Sequence, residues 1–268
     1  MDIEILKENL NGMYWTKSLD EINIPKLLPQ DTLMVWNRLT ARVVASTLST
    51  LEKIGVTYEA VKSIENGSIL SNMRVDDWKK TDGYLQAFKL LVETVNEGVF
   101  VADLKTAQTF HTVLGRYDPE IKDIKDLGQL RNRNVSIFKV DYAPPESHQL
   151  KDIAEKGFKF LTSEIHDPKE RAFLLFMFMA RSQFFININK RTASIMMNGE
   201  LMKHGYAPFA FIDKAENYDF VPCLASFYET GNADRMIGYF GAVTRTIYVD
   251  QKKKSEEKVE VKQKDLER

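Results

Sequence analysis

The polar side chains between Gln183 and Ser194 are the ones whose types and spacing could do chemistry. Within this stretch, Asn189 is a favourable residue for the N-cap of a helix. Lys190 and Arg191 would then lie in the first turn, where the helix dipole disfavours each cation by about 0.3–1 kcal/mol unless an anion binds there. First-turn amides lack partners within their helix, so they and the two cations can bind a phosphate group. The alternative, equally supported by these residues, is that both cations extend into water.

Two helices must hold this segment in place. Asp167 can cap the first, and Pro168 suits its first position because proline needs no hydrogen-bond acceptor there. The run from Ala172 to Ala180 is apolar on every side, which predicts a helix surrounded by other helices. The second helix should end near Gly205, a natural stop residue. Residues 185–188 are therefore expected to form a break between two buried helices.

Helical periodicity dominates the rest of the chain and predicts an all-α fold. We expect a long amphipathic helix from Asp31, which can cap it, to about residue 49. Residues 130–142 are rich in β-branched and aromatic side chains and precede Pro144 and Pro145, which predicts a short β-hairpin or edge ribbon. The other predicted helices cover residues 57–65, 76–96, 102–114, 148–162 and, after Asp213, the stretch to about 240.

Composition and net charge indicate which kinds of partner to expect. The 268 residues are 44% hydrophobic and carry a net charge of −1, so we expect a real core and neither a nucleic acid nor a membrane as partner. The N-terminus lacks a basic start and a long apolar run, which predicts a cytoplasmic protein. Cys223 is the single cysteine and is expected to be a packed thiol. The tail 251–268 holds seven basic and five acidic residues, and we expect a solvated or disordered end.

The stretch resembles the active-site signature of the Fic/Doc (Fido) family, His-Pro-Phe-x-Asp/Glu-Gly-Asn-Gly-Arg-x-x-Arg, and its variant ending Gly-Asn-Lys-Arg-Thr-Ala. Asn189 to Ala193 set the register, and Phe185 supports it. Residues 130–145 are similar to the family's flap with its Tyr-x-Pro-Pro end. The resemblance runs from about residue 40 to 240. It implies a Fic-type helical domain with a small β-hairpin flap, here residues 76–245, preceded by an N-terminal helical extension, 1–75, and followed by a charged tail, 246–268.

The family's chemistry is AMP transfer from ATP to a protein hydroxyl, with a histidine base, an acidic Mg²⁺ ligand and glycine amides on the phosphates. In this chain Gln183 stands at the base position, and an amide has no protonation equilibrium with which to remove a proton. Asn187 stands at the metal position and brings no charge. Ile188 replaces the first glycine, and Ser194 replaces the second arginine.

The residues that remain in register predict a nucleotide or phosphate site. They are Asn189, Lys190, Arg191 and Thr192. The resemblance implies ATP or another nucleotide, with Mg²⁺, as ligand, and a protein as target or partner. We expect a protein related to adenylyltransferases that retains a weak nucleotide site without the usual catalytic base. The alternatives are an active transferase with altered chemistry and a non-enzymatic scaffold for protein interaction.

Two further features concern regulation and a replacement base. Larger family members carry an inhibitory helix whose glutamate pairs with the second arginine of the signature. Glu65 matches that glutamate here, but its partner position is Ser194, so we expect no such ion pair and a surface or capping role for Glu65. His111 lies in a helix and is expected to pack. His148, near the flap, is the candidate for a replacement base.

Overall fold

The computed structural model describes residues 2–249, and the tail 251–268 lies outside them. The all-α prediction is confirmed, with one small hairpin. No helix in the described part of the chain combines the length and the apolar composition needed to span a membrane. The elements are α1 Ile3–Asn9, α2 Thr32–Glu52, α3 Tyr58–Glu65, α4 Val75–Asn96, α5 Leu104–Gly115, α6 Leu150–Glu164, α7 Pro168–Ser182, α8 Asn189–Lys203, β1 Lys214–Ala215, β2 Tyr218–Asp219, α9 Phe220–Thr230 and α10 Asp234–Thr244.

Helices α7 and α8 form the centre of the molecule and pack against each other. As predicted, Asp167 caps α7: its Oδ1 accepts a hydrogen bond from the amide of Lys169 at 2.8 Å, and Pro168 is the first helical residue. Every residue of α7 from Ala172 to Ser182 is buried. Helix α8 contacts α4 and α5 and ends before Gly205, whose φ of 77° favours glycine. The central pair thus carries the connecting loop between them on a rigid base.

Two local predictions differ from the structure. Asp31 precedes α2 but makes no capping hydrogen bond with its side chain. Residues 130–142 contain no strand, because their polar groups bind the α7–α8 loop: the amide and Nε of Arg131 donate to the carbonyls of Phe184 and Gln183 at 2.9 and 2.7 Å. The hairpin lies instead at β1 and β2, where Lys214 pairs with Asp219.

Candidate functional site

The loop between α7 and α8, residues 183–188, begins and ends with a left-handed residue. Gln183 has φ 48°, and Ile188 has φ 62°. For a β-branched residue this conformation is an outlier that costs on the order of 1–3 kcal/mol, so packing must hold it in place. Ile188 is 2% exposed, and its Cδ1 lies against Gly115 of α5, where an added Cβ would be 3.2 Å away. The side chain therefore packs toward α5, and the backbone keeps a turn that a glycine would adopt easily.

Asn189, which was predicted as the N-cap of α8, is the first residue of the helix. Ile188 occupies the N-cap position. Its side chain closes the loop: Oδ1 accepts from the amide of Phe185 at 2.9 Å, and Nδ2 donates to the carbonyl of Phe185 at 2.8 Å and to Oε1 of Gln183 at 3.0 Å. The amide group is thus fully used inside the protein. Asn189 shapes the loop with its side chain rather than capping the helix.

His111 of α5 holds the same loop from the other side. Its ring stacks on Phe185 with centroids 4.1 Å apart. Nδ1 accepts from the amide of Gly128 at 3.0 Å, which leaves Nε2 to donate to the carbonyl of Asn187 at 3.3 Å. Burial lowers the pKa of His111 to about 4. His111 is therefore neutral near pH 7 and has the packing role expected from the sequence.

A cleft of about 580 Å³ opens beside the loop. The structure brings several of the predicted site residues together on one wall, namely Gln183, Asn187, Ile188, Asn189 and Lys190. Glu52 and Lys53, at the end of α2, form the neighbouring wall. The segment around Phe138 and helix α9 contribute most of the apolar lining. The cleft therefore offers both polar and apolar groups to a ligand.

The start of α8 presents unpartnered backbone donors. Thr192 is the first residue of the helix whose amide is bonded, to the carbonyl of Ile188 at 2.9 Å. Within the described residues, the amides of Asn189, Lys190 and Arg191 donate no hydrogen bond. Lys190 lines the cleft beside them, and its Nζ donates to the carbonyl of Leu51 at 2.5 Å. Burial lowers the pKa of Lys190, so this ammonium group would gain from an anion in the cleft.

Arg191 and Thr192, predicted to bind phosphate, do not line the cleft in this structure. Arg191 is fully buried: its Nη1 donates to Oδ2 of Asp118 at 2.5 Å, and its Nε lies 3.5 Å from Oε1 of Glu52. The Nε and Nη2 groups have no hydrogen-bond partner. Thr192 is also buried, and its hydroxyl donates to the carbonyl of Ile188. Both side chains face the core because carboxylate and carbonyl partners lie there.

Asn187, at the metal position, is committed to protein contacts. Its Nδ2 donates to Oε2 of Glu120 at 2.5 Å, and its Oδ1 accepts from the amide of Ile188 at 2.7 Å. Glu120 also pairs with Lys80. In the described part of the chain, no three His, Cys, Asp or Glu side chains are grouped to hold a metal ion. A divalent cation at Asn187 would have to displace both of these contacts.

Gln183, at the base position, is equally committed. Its Nε2 donates to the carbonyl of Ala180 at 2.7 Å, and its Oε1 accepts from Asn189. His148 does not replace it, since it is exposed, pairs with Glu146 and lines a different cavity. Among the described residues that line the cleft there is no histidine.

The structure does not bring Glu65 and Ser194 together. Glu65 pairs with Lys62 and Lys89 at 2.5 and 3.4 Å. Ser194 is buried, with its Oγ 2.7 Å from the hydroxyl of Tyr84. Three acidic residues contact the loop or the first turn of α8, namely Glu52, Asp118 and Glu120. The sequence did not predict these contacts, because the partners lie more than 60 positions away and no regular spacing relates them.

The comparisons with known proteins agree with this geometry. Residues 102–201 match the sequence profile of the Fic/DOC family. Among solved structures, the chain is similar to a Fic domain containing signaling protein from Bacteroides thetaiotaomicron, with a TM-score of 0.64, 16% identity and coverage of 91% of this chain and 94% of that one. No curated protein sequence matches the chain.

Two further structures show the same fold. Fic-1 of C. elegans, residues 134–508, has a TM-score of 0.60 and 17% identity, and the match covers 84% of this chain and 73% of that one. IbpAFic2, in a structure where it is covalently tethered to Cdc42, has a TM-score of 0.56 and 14% identity, with 91% and 76% covered. At these identities the likeness concerns the fold. The sequence match assigns residues 102–201 to the Fic/DOC family, and the solved structures show that a Fic-type fold extends over most of the chain.

Proposed function

We propose that this protein uses the cleft beside α8 to bind a phosphate-bearing ligand of the nucleotide class, and that it does not carry out efficient AMP transfer by the family's usual mechanism. The observation that carries the proposal is the contrast between the two halves of the loop. Gln183 has no titratable group, and both polar atoms of its amide already bond within the protein. The amides of Asn189, Lys190 and Arg191 remain available to an anion.

The test has a binding arm and a transfer arm. We expect a nucleotide at about ten times its Kd to stabilise the protein by about 1.4 kcal/mol, measured as a rise in unfolding temperature. With labelled ATP, Mg²⁺ or Mn²⁺ and cell lysate, we expect little transfer of label to protein. Robust transfer by the wild type that Lys190→Met strongly reduces would overturn the loss of activity and favour a transferase with altered chemistry.

Protein interaction is the second candidate function. Phe138 is 84% exposed at the cleft, and the wall around it is apolar. A related structure has IbpAFic2 tethered to Cdc42, which supports a protein partner for this chain as well. If no nucleotide shifts the unfolding temperature, and Phe138→Ser abolishes capture of a protein that the wild type retains, the scaffold function replaces the nucleotide function.

A further inference from the structure

The charges that line the cleft are few. They are Glu52, Lys53 and Lys190, which leave one net positive charge. Lys53 is more than half exposed and pairs with Asp213 at 2.6 Å, so it is directed toward that partner. Lys190 is then the cation nearest to the open amides of α8. One net positive charge is closer to the need of a monophosphate, which carries up to two negative charges, than to that of a triphosphate, which carries up to four.

Glu52 lowers the positive charge of the cleft in two ways. Its carboxylate is itself part of the wall, 3.9 Å from Nζ of Lys190. It also lies 3.5 Å from Nε of Arg191 and so compensates part of the charge of that buried side chain. The Nε and Nη2 atoms of Arg191 have no hydrogen-bond partner, but Arg191 does not line the cleft. This second cation therefore makes no direct contact with a ligand in the cleft.

A divalent cation does not make up the missing charge. The side chain of Asn187 is bonded to Glu120 and to the amide of Ile188, and Glu120 is paired with Lys80. A magnesium ion at Asn187 would have to displace these contacts. The carboxylate that does line the cleft, Glu52, lies beside Lys190 and Arg191, at 3.9 and 3.5 Å from their nitrogen atoms. The usual partner of a triphosphate is therefore not provided for.

The remaining space suits a nucleoside. The cleft volume of about 580 Å³ is in the ordinary range for sites of small ligands. Phe138, Val221 and Leu224 supply apolar surface to the same cleft as Lys190. We propose, on the basis of the function proposed above, that the cleft takes a nucleoside monophosphate without a divalent cation, and that Glu52 is the residue that discriminates against di- and triphosphates.

The test is calorimetric titration of the full chain with AMP, ADP and ATP, each with and without Mg²⁺. Adenosine, ribose 5-phosphate and inorganic phosphate serve as partial ligands. We expect AMP to bind at least as tightly as ATP, with no gain from Mg²⁺, and each partial ligand to bind at least tenfold more weakly than AMP. Glu52→Gln should tighten ATP about tenfold and AMP less than threefold, since one like charge is removed next to the phosphates. The matched control is Glu59→Gln, an exposed position that does not line the cleft.

The outcomes separate the two proposals. If no nucleotide binds, or if Lys190→Met leaves AMP binding unchanged, the proposed phosphate site at α8 is wrong. If ATP with Mg²⁺ binds more than tenfold tighter than AMP, the phosphate site stands and the preference for a monophosphate is wrong. Ribose 5-phosphate binding as tightly as AMP would overturn the nucleoside part of the proposal. Wild-type titrations alone decide between these results, even if Glu52→Gln folds poorly.

Discussion

Ile188 is a β-branched residue in a backbone conformation that is unfavourable for its type. A left-handed conformation is easy for glycine and unfavourable for isoleucine, yet Ile188 holds φ 62°. Burial of its side chain against α5 offsets the strain. The loop shape is thus maintained by the contacts of its neighbours, including the hydrogen bonds of Asn189 to Phe185. Strain that is held in this way is typical of functional sites.

Two substitutions at this position separate strain from packing. Ile188→Ala should destabilise the protein by about 2–4 kcal/mol, because it removes buried side-chain volume. Ile188→Gly removes the same contacts but accepts a positive φ, so it should be more stable than the alanine variant by about 1 kcal/mol. Urea denaturation of the three proteins measures both differences. An alanine variant more stable than the glycine variant would show that this residue is not held in a left-handed conformation in solution.

At the scale of elements, helix α5 positions the loop through one neutral histidine. His111 accepts from Gly128 and donates to the carbonyl of Asn187, so a proton on Nδ1 would break one of these contacts. In the folded protein the pKa of His111 is lowered to about 4, against 6.5 in the unfolded chain. The unfolded state therefore binds a proton first as the pH falls. The stabilisation is complete above pH 6.5 and is lost as the pH decreases toward 4.

The pH dependence can be measured directly. Between pH 6.5 and 4, His111 should account for a loss of about 3 kcal/mol in the free energy of unfolding. His111→Gln, which keeps a donor and an acceptor but does not titrate, should be less stable at pH 7 and should lose less stability over this interval. Parallel denaturation curves at several pH values test the prediction. Equal losses in the two proteins would mean that other groups cause the acid sensitivity.

How far the sequence predicted these elements depended on whether the signal was local. The start of α7 could be predicted because Asp167 and Pro168 determine it through contacts within one helical turn. The apolar run that follows predicted its position at the centre of the core. The hairpin predicted for residues 130–142 is wrong. The conformation of this segment depends on the hydrogen bond from Arg131 to the carbonyl of Gln183, which is distant in sequence. The burial of Arg191 was missed for the same reason, since its partner Asp118 is 73 residues away.

Arg191 connects three parts of the chain that are distant in sequence. It belongs to α8, pairs with Asp118 in the segment after α5, and approaches Glu52 at the end of α2. Asp118 is buried as well, and the acidic partners raise the pKa of Arg191 against the effect of burial. An ion pair of this kind adds little net stability when complete, but losing one partner leaves a buried charge without compensation.

Asp118→Asn should therefore destabilise the protein by about 3–5 kcal/mol, measured by chemical denaturation. The double variant Asp118→Leu, Arg191→Met replaces both charges with apolar groups and should recover much of that loss. The single variants Asp118→Leu and Arg191→Met complete the double-mutant cycle, which measures the coupling of the pair. A single variant within 1 kcal/mol of the wild type would show that Arg191 is not buried against Asp118 in solution.

The hydrogen bond from Lys190 to the carbonyl of Leu51 has a consequence for how the molecule would respond to a ligand. Leu51 lies in the last turn of α2, where unpaired carbonyls carry the negative end of the helix dipole, so this ammonium group acts as a C-terminal cap supplied by another helix. A phosphate that attracts Lys190 into the cleft takes the cap away. Occupancy of the cleft and fraying of the final turn of α2 are then thermodynamically linked. Binding of a ligand at the start of α8 would therefore change the stability of the end of α2.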